Sequence, residues 1–532
     1  MFARQMIKNI ARNFPHKKAY ICGERFATWR DMDERSDRLS SALIALGCKK
    51  GDTVSILTLE SITVYEHLFA CMKLGLIRVG VNTQYAWPEI RHVLVDSSTK
   101  ILLVDARCKK IVDEHLEDLA SLGIVLLGYN GEHQYSYDYE TLLSAQSREQ
   151  VEQMQSRWPA LASDDVLMYS YTSGTTGVPK GVMLTQGGVA NIIVHCTIGF
   201  GFGPDDIWSM PAASTWVVVL MNVYSLSNGM TNVIPDGSFQ IASFMDDLQR
   251  HRVSTTLMVP TMMQRAMVEQ QARPRDLSAM RFFMYGSAPA TPKLIRDARA
   301  LFGVAMIQTY GQTETTGGWL TVLTEADHQL ALASEPELLK SIGRVGVHFE
   351  CSVRDEQGKV LPPHSKGEIW LRGEGVMAGY LNLPEATAEV MRGDWLRTND
   401  IGKMDERGYV YLLDRQKFMI ITGAVNVFPS TVETVLSEHP AVQEVAVIGV
   451  PHPEWGEAVF AVVVKRLTHA SATANEMIQF CEGKLSRPET PKHLIFVNEL
   501  MKTVNGKVRK TEIRAWLLAS QDKLIPWGVD LE

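Results

Sequence analysis

The chain reads as an α/β protein: a large N-terminal region of mostly parallel sheet covered by helices, followed by a smaller α+β region. Two observations carry this reading. Up to about residue 310, short β-rich runs alternate with helical stretches, the order that builds parallel sheets packed on both faces. Beyond about residue 340, short strands separated by Gly, Pro and Asp turns predict a small antiparallel unit, and from Arg415 onward the chain reads as an independent domain.

Taken in order, residues 3–14 are expected to form an amphipathic helix closed by Pro15, and Thr28 to cap a helix reaching Leu46 with Gly47 as its C-cap. Strands are expected over 53–57, 77–80 and 101–105, with helices over 62–74 and 88–96 between them. Val166 to Tyr169 reads as a buried strand, and Thr185 caps a helix running to about Cys196. Helices over 239–250 and 261–271 flank a strand at 255–259; the strand 280–285 precedes a helix at 291–302 and a strand from Ala305 to Gln308. Short strands follow over 353–360, 367–371 and 409–413. The last region holds strands at 444–450, 458–465 and 494–497, a helix near 473–484 and a tail helix from Thr511.

Composition narrows the function classes. The chain has 532 residues, 45% hydrophobic and 21% charged, as expected of a folded protein with several cores. A net charge of -7 without a long basic run gives no support for nucleic-acid binding. The cysteines Cys22, Cys48, Cys71, Cys108, Cys196, Cys351 and Cys481 stand singly, without metal-ligand spacing, and their odd number argues against a disulfide framework. A cytoplasmic setting is expected: the start lacks a signal-peptide apolar core, and the most apolar stretch, Trp216 to Val223, is too short to span a bilayer.

The densest chemistry lies in Tyr171 to Val182, where Thr172, Ser173, Gly174, Thr175, Thr176 and Gly177 precede Lys180. A strand feeding a loop rich in N–H and O–H donors suits phosphate oxygens, and lysine adds a mobile positive charge. The common nucleotide loop has Ser or Thr directly after its lysine; Gly181 stands there, so this is a different loop. The competing reading is a Gly/Thr-rich surface turn. Two further strand ends run into Gly286-Ser287-Ala288 and into Tyr310-Gly311-Gln312-Thr313-Glu314, and in open parallel sheets such ends converge on the ligand crevice. Glu314 beside hydroxyls suits a magnesium ion carrying phosphate. Tyr310 suits a purine face or a core position. Asp400 and Arg415 bracket an expected hairpin, and Lys507 follows Asn505-Gly506 on a tight turn among basic neighbours that are normally a solvated face.

Together these stretches resemble the adenylate-forming acyl/aryl-CoA synthetase superfamily, which also holds luciferases and non-ribosomal peptide adenylation domains. The resemblance spans nearly the whole chain. It implies that the antiparallel unit is barrel-like, that residues 1–414 bind ATP and acid, and that residues 415–532 form a mobile domain carrying the catalytic lysine. It implies that Thr172 and Thr175 meet ATP phosphates and that Lys180 meets pyrophosphate, with Ser173, Gly174, Thr176 and Gly177 completing that loop. Gly286, Ser287, Ala288, Gln308, Tyr310 and Gly311 correspond to the adenine side of the site. Thr313 resembles a phosphate ligand, Glu314 the carboxylate on Mg²⁺, Asp400 the ribose-binding acid and Arg415 its companion. Lys417 resembles the hinge, and Lys507 the lysine that meets the reacting carboxylate and α-phosphate; with Thr172 and Glu314 it makes the catalytic set. Gly423 resembles part of a thioester-step loop, although Ala424 stands where a second glycine is common.

The activity so implied is ATP-dependent acid–thiol ligation: a carboxylic acid becomes an acyl-adenylate with release of pyrophosphate, then coenzyme A takes the acyl group and AMP leaves. Ser214 occupies a position where relatives often carry histidine, so the acyl gate is altered; with Gly286 and Gly311, Ser214 and Trp216 are the expected acid-binding residues. The run 216–220 and Trp319-Leu320 suggest an apolar acid, fatty or aromatic, and serve equally as core. The alternatives are a carrier-protein phosphopantetheine acceptor, a luciferase-like oxygenase and a non-catalytic ATP-binding protein. A homodimer stays open.

Overall fold

The computed structural model describes residues 2–172, 179–211, 215–415, 418–423, 425–502 and 508–520. Three sheets organise them. The first has eight strands. Its centre, Thr53–Leu57, Ile77–Val81 and Thr99–Asp105, is parallel and buried along its length, so these strands read as apolar runs rather than alternating ones. Val166–Thr172 joins it in parallel beside Ile77–Val81, and Lys180–Thr185 returns antiparallel. Helix ends follow local chemistry. Thr28 and Asp31 form a reciprocal capping box, and Thr185 Oγ1 accepts from Gly188 N at 3.1 Å to open the helix Gln186–Gly199. Gly47 lies one residue past the C-cap, Leu46.

The second sheet has 14 strands. Thr255–Met258, Phe282–Gly286 and Ala305–Tyr310 lie side by side and parallel. The expected antiparallel unit is present, and it joins this sheet. Thr321–Leu323, Gly343–Val345, Tyr409–Arg415, Trp395–Met404, Gly367–Gly373 and Phe349–Arg354 continue the same sheet outward from Ala305–Tyr310. The strand expected over 353–360 breaks at Asp355, whose Oδ1 accepts from Gln357 N and Lys359 N and closes a turn. The apolar run after Trp216 is the 3₁₀ helix Val217–Ser227, most of it buried.

The third sheet holds Ile420–Thr422, Val425–Val427, Val442–His452, Gly456–Lys465 and His493–Phe496. One face packs on Val432, Leu436 and Met477, the other on Ile513 and Leu517. The helix expected to reach 484 ends at Cys481, and Gly483 follows in the left-handed region (φ 74°). All seven cysteines are unpaired, and among the described residues no helix is long and apolar enough to cross a membrane.

Candidate active site

Asp400 and Arg415 are direct cross-strand partners on Trp395–Met404 and Tyr409–Arg415. Asn399, in the left-handed region (φ 57°), reshapes the strand just before the acid, and Asp400 N donates to Thr398 Oγ1 at 3.1 Å. The buried Asp400 carboxylate gathers three donors: Tyr310 Oη at 2.5 Å and Gln312 Nε2 at 2.8 Å on Oδ2, and Arg415 Nε at 3.3 Å from Oδ1. Gln312 Nε2 also reaches Thr398 O at 3.2 Å and so bridges the two segments. Burial, then the neighbouring Asp400 charge, pushes the Tyr310 hydroxyl well above its ordinary pKa, which keeps it a donor. Burial acts to lower Arg415, but Asp400, Tyr310 and Glu314 reverse this and raise it. Tyr310 is therefore buried, and its hydroxyl is committed to Asp400.

The neighbouring strand end is packed closely on its partner strand. Gly286 pairs with Thr309, and a Cβ on Gly286 would lie 2.2 Å from Thr309 O. Ser287 follows in the left-handed region (φ 62°), turning the chain sharply at the strand's end. Gln308 Oε1 is buried with no hydrogen-bond partner. Ser287, Ala288, Gln308, Tyr310, Gly311, Asp400 and Arg415 line one cavity of about 2380 Å³. Its lining also includes Lys502, Val508, Arg509 and Lys510 from the C-terminal region. Behind Gly286, Tyr285 Oη donates to His328 Nε2 at 2.8 Å, and His328 Nδ1 donates to Thr324 O at 2.7 Å, a tautomer assigned from these partners.

Thr172 and Lys180 face each other across the hairpin that encloses residues 173–178. They belong to the eight-stranded sheet, whereas Gly286 and Tyr310 end strands of the other, so the three glycine-rich ends come from two sheets. Thr313 and Glu314 sit on the 3₁₀ turn Thr313–Thr315. Glu314 Oε1 accepts from Tyr380 Oη at 2.9 Å, and Lys180 Nζ lies 5.7 Å from the centre of the same tyrosine ring. Tyr380 also pairs with Val182, so it connects the hairpin to Glu314. Among the described residues no cluster of three or more His, Cys, Asp or Glu could hold a metal, which leaves Glu314 as the candidate carboxylate beside Thr313. That donor set fits magnesium, which keeps several waters and takes one or two carboxylates with substrate phosphates.

On the acid side, a Cβ on Gly311 would meet Gly318 O at 2.2 Å. Gly317 abuts Val217 and Gly318 abuts Ile192 in the same close way. Trp216 is half-buried at the start of the 3₁₀ helix, and the cavity wall does not include it. Ser173, Gly174, Thr175, Thr176, Gly177, Ser214, Lys417 and Lys507 lie outside the described residues. The basic run around Lys507 is not a uniformly solvated face: Lys502 turns in to Glu444 at 2.6 Å and Lys510 to Glu433 at 2.8 Å. Sequence reasoning missed Gln312, Thr398, Tyr380 and the Tyr285–His328 pair. Gln312 lay inside a stretch already singled out; the others carried no local signal.

Comparison with known proteins places this geometry in context. The profile of the AMP-binding enzyme matches residues 7–381, and that of the AMP-binding enzyme C-terminal domain matches residues 431–507. The chain is 32% identical over 502 residues to an indoleacetate–CoA ligase of Aromatoleum aromaticum, covering 94% of this chain and 95% of the relative. It is 30% identical over 523 residues to the long-chain-fatty-acid–CoA ligase FadD13 of Mycobacterium tuberculosis, covering 97% and 99%. Among solved structures, the amide bond synthetase McbA from Marinactinospora thermotolerans superposes with a TM-score of 0.86 at 27% identity, covering 97% and 99%.

Proposed function

The chain belongs to the AMP-binding enzyme family and is an AMP-forming acyl-CoA ligase, and from that premise we propose how its own residues divide the reaction. Asp400, oriented by Tyr310 and Gln312, accepts from the ribose hydroxyls of ATP, with Arg415 alongside. The turn at Ser287 and Ala288, which line the cavity, takes the adenine face, and Gln308 Oε1 offers an acceptor to its amino group. Thr172, Lys180 and the loop between them hold the phosphates, with Thr313 beside them. Glu314 holds the magnesium ion, which when bound supplies positive charge on the phosphate oxygens.

In the first step a carboxylate oxygen of the acid bonds to the α-phosphorus and the bond to pyrophosphate breaks. Negative charge grows on the phosphate oxygens, where fixed donors and Lys507 stabilise it. In the second step a thiol sulfur attacks the acyl carbon and AMP departs. The two steps need different surroundings, and we assign the exchange to residues 415–532 turning about Lys417. The third sheet supports this with its own cores on both faces, separate from those of the other two. The acid is apolar, fatty or aromatic: the indoleacetate and long-chain relatives bracket that range.

The observation that carries the reading is the triply held Asp400 carboxylate and the buried, unpartnered Gln308 Oε1 on residues that line one cavity. The test is pyrophosphate release from ATP across a panel of acids, followed by thioester detection with CoA and, separately, with a phosphopantetheinylated carrier. Lys507→Ala should abolish adenylate formation while sparing thiol transfer from supplied acyl-adenylate. Equal loss of both half-reactions would remove Lys507 from the first step.

A further inference from the structure

One helix holds both arms of the hairpin that Thr172 and Lys180 close. Trp87–Asp96 is opened by Ala86 N donating to Glu89 Oε2 at 3.0 Å, and its helical period stacks His92 and Asp96, four residues apart, on one face. On the first arm, Tyr171 is buried, and its hydroxyl donates to Asp96 Oδ2 at 2.7 Å. Burial, then the bond to Asp96 and its charge, raise the Tyr171 pKa and keep the hydroxyl a donor. On the second arm, His92 Nε2 donates to Pro179 O at 3.1 Å, a role assigned from the carbonyl, which only accepts. The His92 ring meets the Tyr171 ring edge-on, with 6.5 Å between centres and 85° between planes. The residue before Thr172 and the residue before Lys180 are thus tied to successive turns of the same helix.

The far side of the hairpin is tied to the same acid. Gly379 and Tyr380 pair with Met183 and Val182, and Leu381 N donates to Gly181 O at 2.8 Å. Asn382, in the left-handed region (φ 54°), turns its Nδ2 back to Asp96 Oδ1 at 3.0 Å and Asp96 O at 3.1 Å. Asp96 therefore joins Tyr171 to the segment whose Tyr380 holds Glu314. Gly181 lies between these parts: a Cβ there would come within 3.2 Å of Tyr171 Cζ and 3.3 Å of Leu381 Cβ. A side chain directly after Lys180 would press on both at once, which is a physical reason for glycine at that position.

Pro179 lines the same cavity as Tyr310, Gly311 and Asp400, and His92 does not. His92 is half-buried behind the hairpin and acts on the cavity through the Pro179 carbonyl. Packing against Tyr171 asks only for a ring; the bond to Pro179 O asks for a donor. Resting on the assignment of the ATP phosphates to Thr172 and Lys180, we propose that His92 is a positioning residue for adenylate formation: its donor fixes the Pro179 carbonyl and so holds Lys180 in place against the phosphates, while Asp96 fixes the other arm through Tyr171.

The test separates the two half-reactions of the full-length enzyme, with indoleacetate and octanoate as probe acids: pyrophosphate release from ATP, and thioester formation from the supplied acyl-adenylate and CoA. His92→Phe keeps the ring and removes the donor. It should lower kcat/KM for ATP in pyrophosphate release by about fivefold or more, the scale of one hydrogen bond, and leave the thioester step within about twofold. His92→Gln, which keeps an N–H donor, should recover most of the loss. A His92→Phe enzyme that releases pyrophosphate like the wild type, or that loses both half-reactions equally, overturns the proposal, as does failure of both variants to fold in thermal melts. Lys180→Ala is the reference. Unchanged pyrophosphate release there overturns the phosphate assignment, whereas loss there with His92→Phe unchanged overturns the role of His92 alone. A wild-type enzyme that releases no pyrophosphate with either acid or with the wider panel overturns the ligase reading and this proposal with it.

Discussion

Asp400 and Arg415 face each other across two antiparallel strands, yet the hydroxyl that fixes Asp400 comes from Tyr310, 90 residues earlier. The acid is thereby oriented before any ligand arrives. Asp400→Asn keeps the shape but removes the charge and turns an N–H towards Gln312 Nε2. It should lower kcat/KM for ATP by about 10- to 100-fold, the range of a charged hydrogen bond. ATP titrations of pyrophosphate release check this. A drop shared equally by the acid's KM would point to general damage.

Glu314 has Tyr380 Oη as its side-chain donor, so the two residues should act together on magnesium. Chelation with excess EDTA should stop pyrophosphate release. Glu314→Gln should raise the Mg²⁺ concentration for half-maximal rate by about tenfold or more, and Tyr380→Phe should shift it in the same direction, as for other partners that orient a metal ligand. Rates measured against free Mg²⁺ at fixed ATP decide. An unchanged Mg²⁺ dependence in both variants would place the ion elsewhere.

His67 and His328 are wholly buried, and burial holds both below the ordinary histidine pKa, His67 at about 3. The folded state therefore keeps them neutral while the unfolded chain takes up protons as pH falls below about 6.5. Their contribution to stability is full above that pH and is lost progressively towards the lower folded values. Each adds a slope of up to about 1.4 kcal/mol per pH unit in that window. Denaturant unfolding at pH 7.5, 6.5 and 5.5 should show stability falling with acid, and His328→Gln should flatten the slope by about one proton's worth.

The parallel core was legible in sequence because strands such as Phe282–Gly286 are buried on both faces and carry unbroken apolar runs. The hairpin that pairs Asp400 with Arg415 was legible, and Thr172, Tyr310 and Glu314 were legible as candidates because they lie in stretches dense in Gly and Thr. Tyr380 and Thr398 were not: their meaning arises only when strands distant in the chain are brought side by side. The extent of the antiparallel region was also hidden, because strand pairing with Ala305–Tyr310 through Thr321–Leu323 leaves no local mark. Lys502 and Lys510 looked like solvated charges for the same reason, since their carboxylate partners lie 58 and 77 residues away in the chain.

Lys510 is the residue where this matters most. It lies 14% exposed between Glu433 Oε1 at 2.8 Å and Asp414 Oδ2 at 3.8 Å, and so joins the end of the strand Tyr409–Arg415 to the helix Pro429–Ser437. Burial alone would lower its pKa, but Glu433 and Asp414 raise it, so it stays charged. Asp414 Oδ2 also accepts from Ser430 N at 3.1 Å, and Glu433 Oε1 from Val447 N at 2.7 Å, leaving both acids dependent on the lysine for charge balance. Lys510→Met would strand two carboxylates in a nearly dry site and should destabilise the C-terminal region by about 3–5 kcal/mol. Lys510→Met with Glu433→Gln removes one stranded charge and should recover a large part of that loss. Denaturant unfolding of the single and double variants measures the coupling. Additive losses would mean that the lysine and Glu433 act independently, and that the junction is held by packing alone.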